Sequence, residues 1–191
     1  MKKLLLLLLI PFAFSCNVSK DLTGAYNMLN CKYEYKSISG LSLSGVDVSN
    51  GISLAAIPKI TSILSGTASS IPLNFTLNLN VNNPNQTEAI FRGMQYILSI
   101  DDIQFTSGSV SQSMNIASGQ TQTLPISIGV DLASLMKGNS KDAVGNIAKN
   151  FIGIGSDKSK VTLKIKPTFV VNEIPISWPS YIPIEFNFGG K

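Results

Sequence analysis

Leu73-Asn74-Phe75-Thr76-Leu77-Asn78-Leu79-Asn80-Val81 alternates without a break, every odd position apolar and every even one polar. Successive side chains of a strand point to opposite faces, so this stretch predicts a β-strand with one buried face and one wet face. It stops at Asn82-Asn83-Pro84-Asn85, where Pro has no N–H for a ladder and Asn side chains close turns. The same period recurs at Ile126, Ile128, Val130 and Leu132. It recurs at Val161, Leu163 and Ile165, with Lys160, Thr162, Lys164 and Lys166 opposite, and again at Ile182, Ile184, Phe186 and Phe188. Ile90 to Ile100 is longer and mixed, and Asp101-Asp102 reads as a hairpin turn before Ile103-Gln104-Phe105. Tyr33 to Val48 reads as a weaker Ser- and Gly-rich strand pair or one long strand. Short strands separated by turn signals predict an all-β domain, an antiparallel sandwich or barrel.

Two stretches break the pattern. Ile52, Leu54, Ile57, Ile60, Ile63 and Leu64 have helical spacing with Pro58 inside, which predicts a short, kinked or split helix. Lys141 to Phe151 places Val144, Ile147, Ala148 and Phe151 on one face. Ser140 is positioned to cap it, and the Gly153 region to end it.

Composition bounds the chemistry. The chain has 191 residues, 44% hydrophobic and 14% charged, with no His, two Cys and a single Arg, Arg92. Low charge argues against disorder. The lack of His removes the commonest metal ligand and the usual general base near neutral pH, and two Cys cannot build a zinc site alone. The expectation is no metal, no cofactor and no nucleic acid, since nucleic-acid binders cluster Lys and Arg on one face.

The N-terminus carries an address. Met1-Lys2-Lys3 is basic, Leu4 to Phe14 is apolar apart from Pro11, and Ala13-Phe14-Ser15-Cys16 follows. A stretch of eleven residues, Pro11 included, suits a secretory signal and falls short of the roughly 20 apolar residues that span a bilayer. The tetrapeptide resembles a bacterial lipobox, although Phe14 is bulkier than the usual residue there. The resemblance implies a signal peptide over residues 1–15 and a diacylglycerol on the Cys16 thiol, with the freed amine usually acylated in turn. Residues 16–30 then read as a lipidated tether and residues 31–191 as the domain. Removing Lys2 and Lys3 lowers the formal charge from +4 to +2. Asn17 after Cys16 favours the outer membrane by analogy, with the periplasmic or surface face left open. Cys31 would have no partner, and reads as a small buried residue near the first strand.

Residues 73–132, from the alternating strand through Asn83-Pro84-Asn85, Tyr96, Asp101-Asp102 and Gly108 to the apolar strand Leu124–Leu132, are similar to the WHy (water stress and hypersensitive response) domain of late embryogenesis abundant group 2 proteins. The helix Lys141 to Phe151 and the return strand Val161 to Val170 extend the likeness. The Asn50 to Ser70 insert departs from it. The resemblance implies an immunoglobulin- or fibronectin III-like sandwich with a non-enzymatic, desiccation-related role. The protein is then expected to be a membrane-anchored binding or stabilising module of the bacterial cell envelope. The alternative is an adhesion or assembly subunit contacting other envelope proteins.

Other candidates weigh less. Asn83, Pro84 and Asn85 read more strongly as a structural turn than as a binding loop. Asp101 and Asp102 are adjacent at a strand end, so their carboxylates point apart and suit a solvated turn better than shared acid–base work. Lys158, Lys160, Lys164 and Lys166 form a candidate basic surface for anionic lipid, or a solvated sheet face. Ser134-Leu135-Met136-Lys137 matches the acylating motif of penicillin-binding enzymes, but the S-D-N and K-T-G partners are absent. Trp178 reads as a core residue of the sandwich rather than, with Tyr181, an exposed aromatic platform.

Overall fold

The computed structural model describes residues 15–49, 52–54, 56–65, 68–171 and 174–190. The alternating stretch is strand β3 (Pro72–Asn82). It lies between β1 (Lys32–Leu43) and β8 (Thr121–Asp131), antiparallel to both, and β2 (Val46–Asp47) turns back onto β1. Leu73, Phe75, Leu77, Leu79 and Val81 are all buried. Each such side chain contributes roughly 1.5–3 kcal/mol relative to exposure. The Asn and Thr side chains between them face outward.

The second sheet holds β5 (Gly93–Ile100), β6 (Ile103–Val110), β9 (Ser159–Val171), β10 (Ile174–Ser177) and β11 (Ile182–Phe188), in the order β10-β9-β5-β6 with β11 also on β9. All its pairings are antiparallel. The inner faces of both sheets share one hydrophobic core. Tyr35 of β1 stacks on Phe186 of β11 with ring centroids 4.1 Å apart. The fold is thus mostly β, with antiparallel sheets curled into a half-barrel. Ile90 to Ile100, read as one mixed strand, is two. The short β4 (Ala89–Phe91) pairs β7 (Met114–Ile116) in a ribbon of its own before β5 joins the second sheet. At the break a Cβ on Gly93 would stand 2.7 Å from the Val110 carbonyl oxygen, leaving room for no other residue.

Proline positions follow the edges. Pro125, Pro175 and Pro183 lie in β8, β10 and β11, three of the outer strands. Each is paired on its inner side, so the nitrogen without a hydrogen faces the open side. Pro167 sits where the edge of β9 passes from β11 to β10.

The helices correct several expectations. α1 (Ser15–Leu29) covers the stretch read as a tether. It packs on β4 and β9, burying Ala25, Asn27 and Met28, so this segment is part of the folded body. Gly24 permits the contact, because a Cβ there would stand 2.5 Å from Ile90. α2 (Ile57–Leu64) is one short helix with Pro58 in its first turn, where no intrahelical N–H bond is lost and no kink follows. α4 (Lys141–Phe151) is capped by Ser140 as its sequence predicts. Leu132, read as the end of a strand, opens a further helix, α3 (Leu132–Gly138).

Asp131 makes that switch. Its Oδ1 accepts from the backbone N–H of Ala133 at 2.9 Å and of Ile71 at 2.8 Å, while Ser70 Oγ donates to Oδ2 at 2.9 Å. The Ile71 N–H, helped by Ser70, Ala133 and Ser134, holds this carboxyl below the ordinary carboxylate range against the opposing pull of desolvation. A lowered folded-state pKa stabilises above the unfolded value of about 3.9 and is lost as pH falls through the folded value. Asp131→Ala is therefore expected to cost about 1–2 kcal/mol at pH 7. The gap to wild type should narrow below about pH 4, read by urea unfolding across pH. A gap independent of pH would show that the charge plays no part.

Candidate functional site

Helix α1 presents Leu22, Ala25, Tyr26 and Leu29 along one stripe at helical spacing. Opposite it runs the β9–β10 hairpin. Phe169 forms the floor, with Ile176 and Trp178 as the far wall, and together these seven residues line a groove of about 290 Å³. The lining is uncharged and almost wholly apolar. Tyr26 is 64% exposed, Ile174 beside the groove 63%, and Trp178 38%. Isolated exposed apolar residues are ordinary, whereas here several adjoin one another along the two walls of one groove. Trp178 meets Phe169 edge-to-face with centroids 6.5 Å apart, so its environment reports on the groove.

This corrects the core reading of Trp178. The hairpin carries β10 beyond the ends of the strands that fill the core, so Trp178 lies at the rim. Tyr181 is also partly exposed and lies under Lys166, with Nζ 5.7 Å from the ring centroid.

An asparagine cluster fixes α1 in place. Asn83 is fully buried, and its Nδ2 donates to the carbonyls of Thr87 at 2.9 Å and Ile116 at 2.8 Å. Its Oδ1 accepts from the Asn85 backbone N–H at 3.0 Å, an Asx turn, and from Asn85 Nδ2 at 2.7 Å. Asn85 Nδ2 also donates to the Asn27 carbonyl of α1 at 2.9 Å. Asn27 Nδ2 returns to Thr87 Oγ1 at 2.7 Å and the Glu88 carbonyl at 2.9 Å. Pro84 stands exposed between the two asparagines and accepts its place in the turn without needing an N–H. Asn83, Pro84 and Asn85 therefore do structural work, holding a helix as well as ending a strand. The sequence reading missed Asn27 because its segment was taken as a tether. The signal was there in Gly24, Ala25 and Met28, small and apolar residues on one helical face.

The remaining candidates are spread out. Lys158, Lys160 and Lys164 are exposed and Lys166 half-buried on or beside β9. Lys160 is paired with Glu185 at 3.2 Å, so it is not a free cation. Asp101 and Asp102 form the hairpin turn with φ of 48° and 64°, which Asp tolerates better than most residues. Asp101 Oδ1 accepts from the Lys160 backbone N–H at 2.7 Å, which ties this turn to β9. Cys31 is buried and burial pushes its thiol up to about 11, an unreactive setting. Cys16 lies in the first turn of α1, and its side chain falls outside the described residues, as do residues 1–14 of the expected signal. Among the described residues no group of three or more Cys, Asp and Glu side chains is placed to hold a metal ion.

The stretch from within β3 through the Asn-Pro-Asn turn to Trp178, just after β10, matches the model of a known family, described as late embryogenesis abundant protein, over residues 78–178. The chain belongs to the late embryogenesis abundant family. That membership points to a stress- and desiccation-related role, in a family that is generally non-enzymatic. No curated protein sequence matches this late embryogenesis abundant chain. Among solved structures it is similar to a protein from Archaeoglobus fulgidus, at 14% identity and a TM-score of 0.40, covering 83% of this chain and 98% of that one. A protein from Arabidopsis thaliana solved in solution is similar at 9% identity and a TM-score of 0.39, covering 83% and 77%. A solution structure described as a late embryogenesis abundant protein is similar at 15% identity and a TM-score of 0.35, covering 93% and 86%.

Proposed function

We propose that this late embryogenesis abundant chain is a lipid-anchored, non-enzymatic module of the bacterial cell envelope. Acyl chains on Cys16 hold it at the outer membrane, where an immunoglobulin- or fibronectin III-like sandwich binds or stabilises clients under water stress. The observation that carries the reading is the order of features at the N-terminus. A basic pair and the apolar run Leu4 to Phe14, interrupted by Pro11, lead straight into Ser15-Cys16, the first residues of α1. One acyl chain anchors only marginally, at about 0.8 kcal/mol per buried CH₂, so two or three are needed for firm attachment.

The test is Cys16→Ala in the native host. Wild type is expected in the detergent phase with a lipid adduct in its intact mass. The variant is expected to remain unprocessed or to lose detergent partitioning almost completely. Wild-type protein recovered in aqueous extract at unmodified polypeptide mass overturns the reading. The outer strand β6, which carries no proline, favours a second reading, an assembly subunit contacting other envelope proteins. Crosslinking in cells decides between them: one stoichiometric protein partner supports assembly, and protection of a labile enzyme during drying without a fixed partner supports the stabilising role.

A further inference from the structure

We propose that the groove between α1 and the β9–β10 hairpin is a membrane-contact surface that takes the interfacial layer of a lipid bilayer. The proposal rests on the lipid-anchored reading and adds to it a second, non-covalent contact with a defined orientation.

Four observations carry it. The apolar stripe of α1 is unpartnered along Leu22 and Tyr26, both more than half exposed. The opposite wall carries Ile176 and Trp178 with Ile174 beside them. This mix of aliphatic side chains with Trp and Tyr suits a boundary that is apolar on one side and wet on the other. Residues 1–14, outside the described residues, join the fold at Ser15, the first residue of α1. Whether the greasy element there is the Leu4–Phe14 segment or acyl chains on Cys16, it enters at the N-terminal end of the helix that forms the groove. Leu22 lies six residues beyond Cys16, about 9 Å along a helix. The anchor thus delivers this face to the bilayer at high effective concentration. A competing occupant is disfavoured by the edge itself. Pro175 removes an outward donor from the four-residue strand β10, which hinders strand addition by a peptide or a second copy.

Trp178 is the only Trp in the chain, so its emission reads the groove alone. The lipidated full chain is reconstituted into vesicles of phosphatidylethanolamine and phosphatidylglycerol. Trp178 emission is expected to shift to the blue relative to detergent-free protein lacking the anchor, to lose acrylamide quenching, and to be quenched by lipids brominated near the headgroup. Tyr26→Glu with Ile176→Glu, both at exposed positions, should keep native circular dichroism and vesicle flotation while abolishing the shift and the bromolipid quenching.

A lipidated chain that floats with vesicles while Trp178 keeps its aqueous emission overturns the groove contact and leaves the anchor standing. A chain without lipid mass overturns the anchor. Cys16→Ala protein titrated with excess vesicles then decides the groove separately, a blue shift supporting it and unchanged emission refuting it. A concentration-dependent dimer that shifts Trp178 without vesicles would assign the surface to a second copy and overturn the proposal.

Discussion

Asn83→Leu is expected to lower the unfolding free energy by about 3–5 kcal/mol, near the top of the range for a single substitution. Leu is close to Asn in size but offers no polar atom. The carbonyls of Thr87 and Ile116 and both nitrogens of Asn85 lose a partner together. Each buried group left unsatisfied costs about 1–3 kcal/mol, and local relaxation recovers part of the sum. Urea unfolding reads the change as a shifted midpoint. A loss under about 1 kcal/mol would mean that water replaces these bonds, contrary to the burial of the site. Asn83→Asp separates charge from shape. A buried carboxylate facing two carbonyls has a raised pKa, so this variant should gain stability as pH falls toward the carboxylate range.

Phe91→Ala is expected to cost about 3–5 kcal/mol through the lost burial and the cavity left behind. β4 is buried on both faces. Ile90 lies under Gly24 of α1, and the alternation of the strand turns Ala89 and Phe91 the other way, into the core. Phe91 is fully buried and pairs in register with Met114. Truncation therefore weakens the ribbon on which α1 rests. Chemical denaturation should show an earlier midpoint with little change in slope, and hydrogen exchange in α1 should accelerate. Exchange unchanged in α1 would show that the helix is held by the asparagine cluster alone.

These two sites also mark what a reader of the sequence can and cannot see. β3, β9 and β11 were legible because period two is a local signal and each strand carries it for seven residues or more. The Asn-Pro-Asn turn was legible because Pro and Asn impose local geometry. The bonds from Asn27 to Thr87 and Glu88 were not, since they join positions 60 and 61 residues apart. α1 was hidden for a related reason. Its buried face is small, with Gly24 and Ala25 on it, and small residues leave little hydrophobic periodicity even when they pack closely. Trp178 misled because a lone Trp suggests a core by size, whereas the position of its hairpin at a sheet edge is a property of topology. The groove has the same origin. Its walls come from residues 22–29 and 169–178, which nothing in the local pattern connects.

The prolines of β8, β10 and β11 have a consequence for how neighbouring molecules meet when they are crowded. As water leaves, macromolecules are pressed together and any open strand becomes a template on which a neighbour's backbone can zip up. An imide ring at each of these borders interrupts the row of amide hydrogens that such cross-β growth needs. The borders formed by these three strands are thereby poor templates, whereas β6, the other outer strand of the second sheet, carries no proline and stays open.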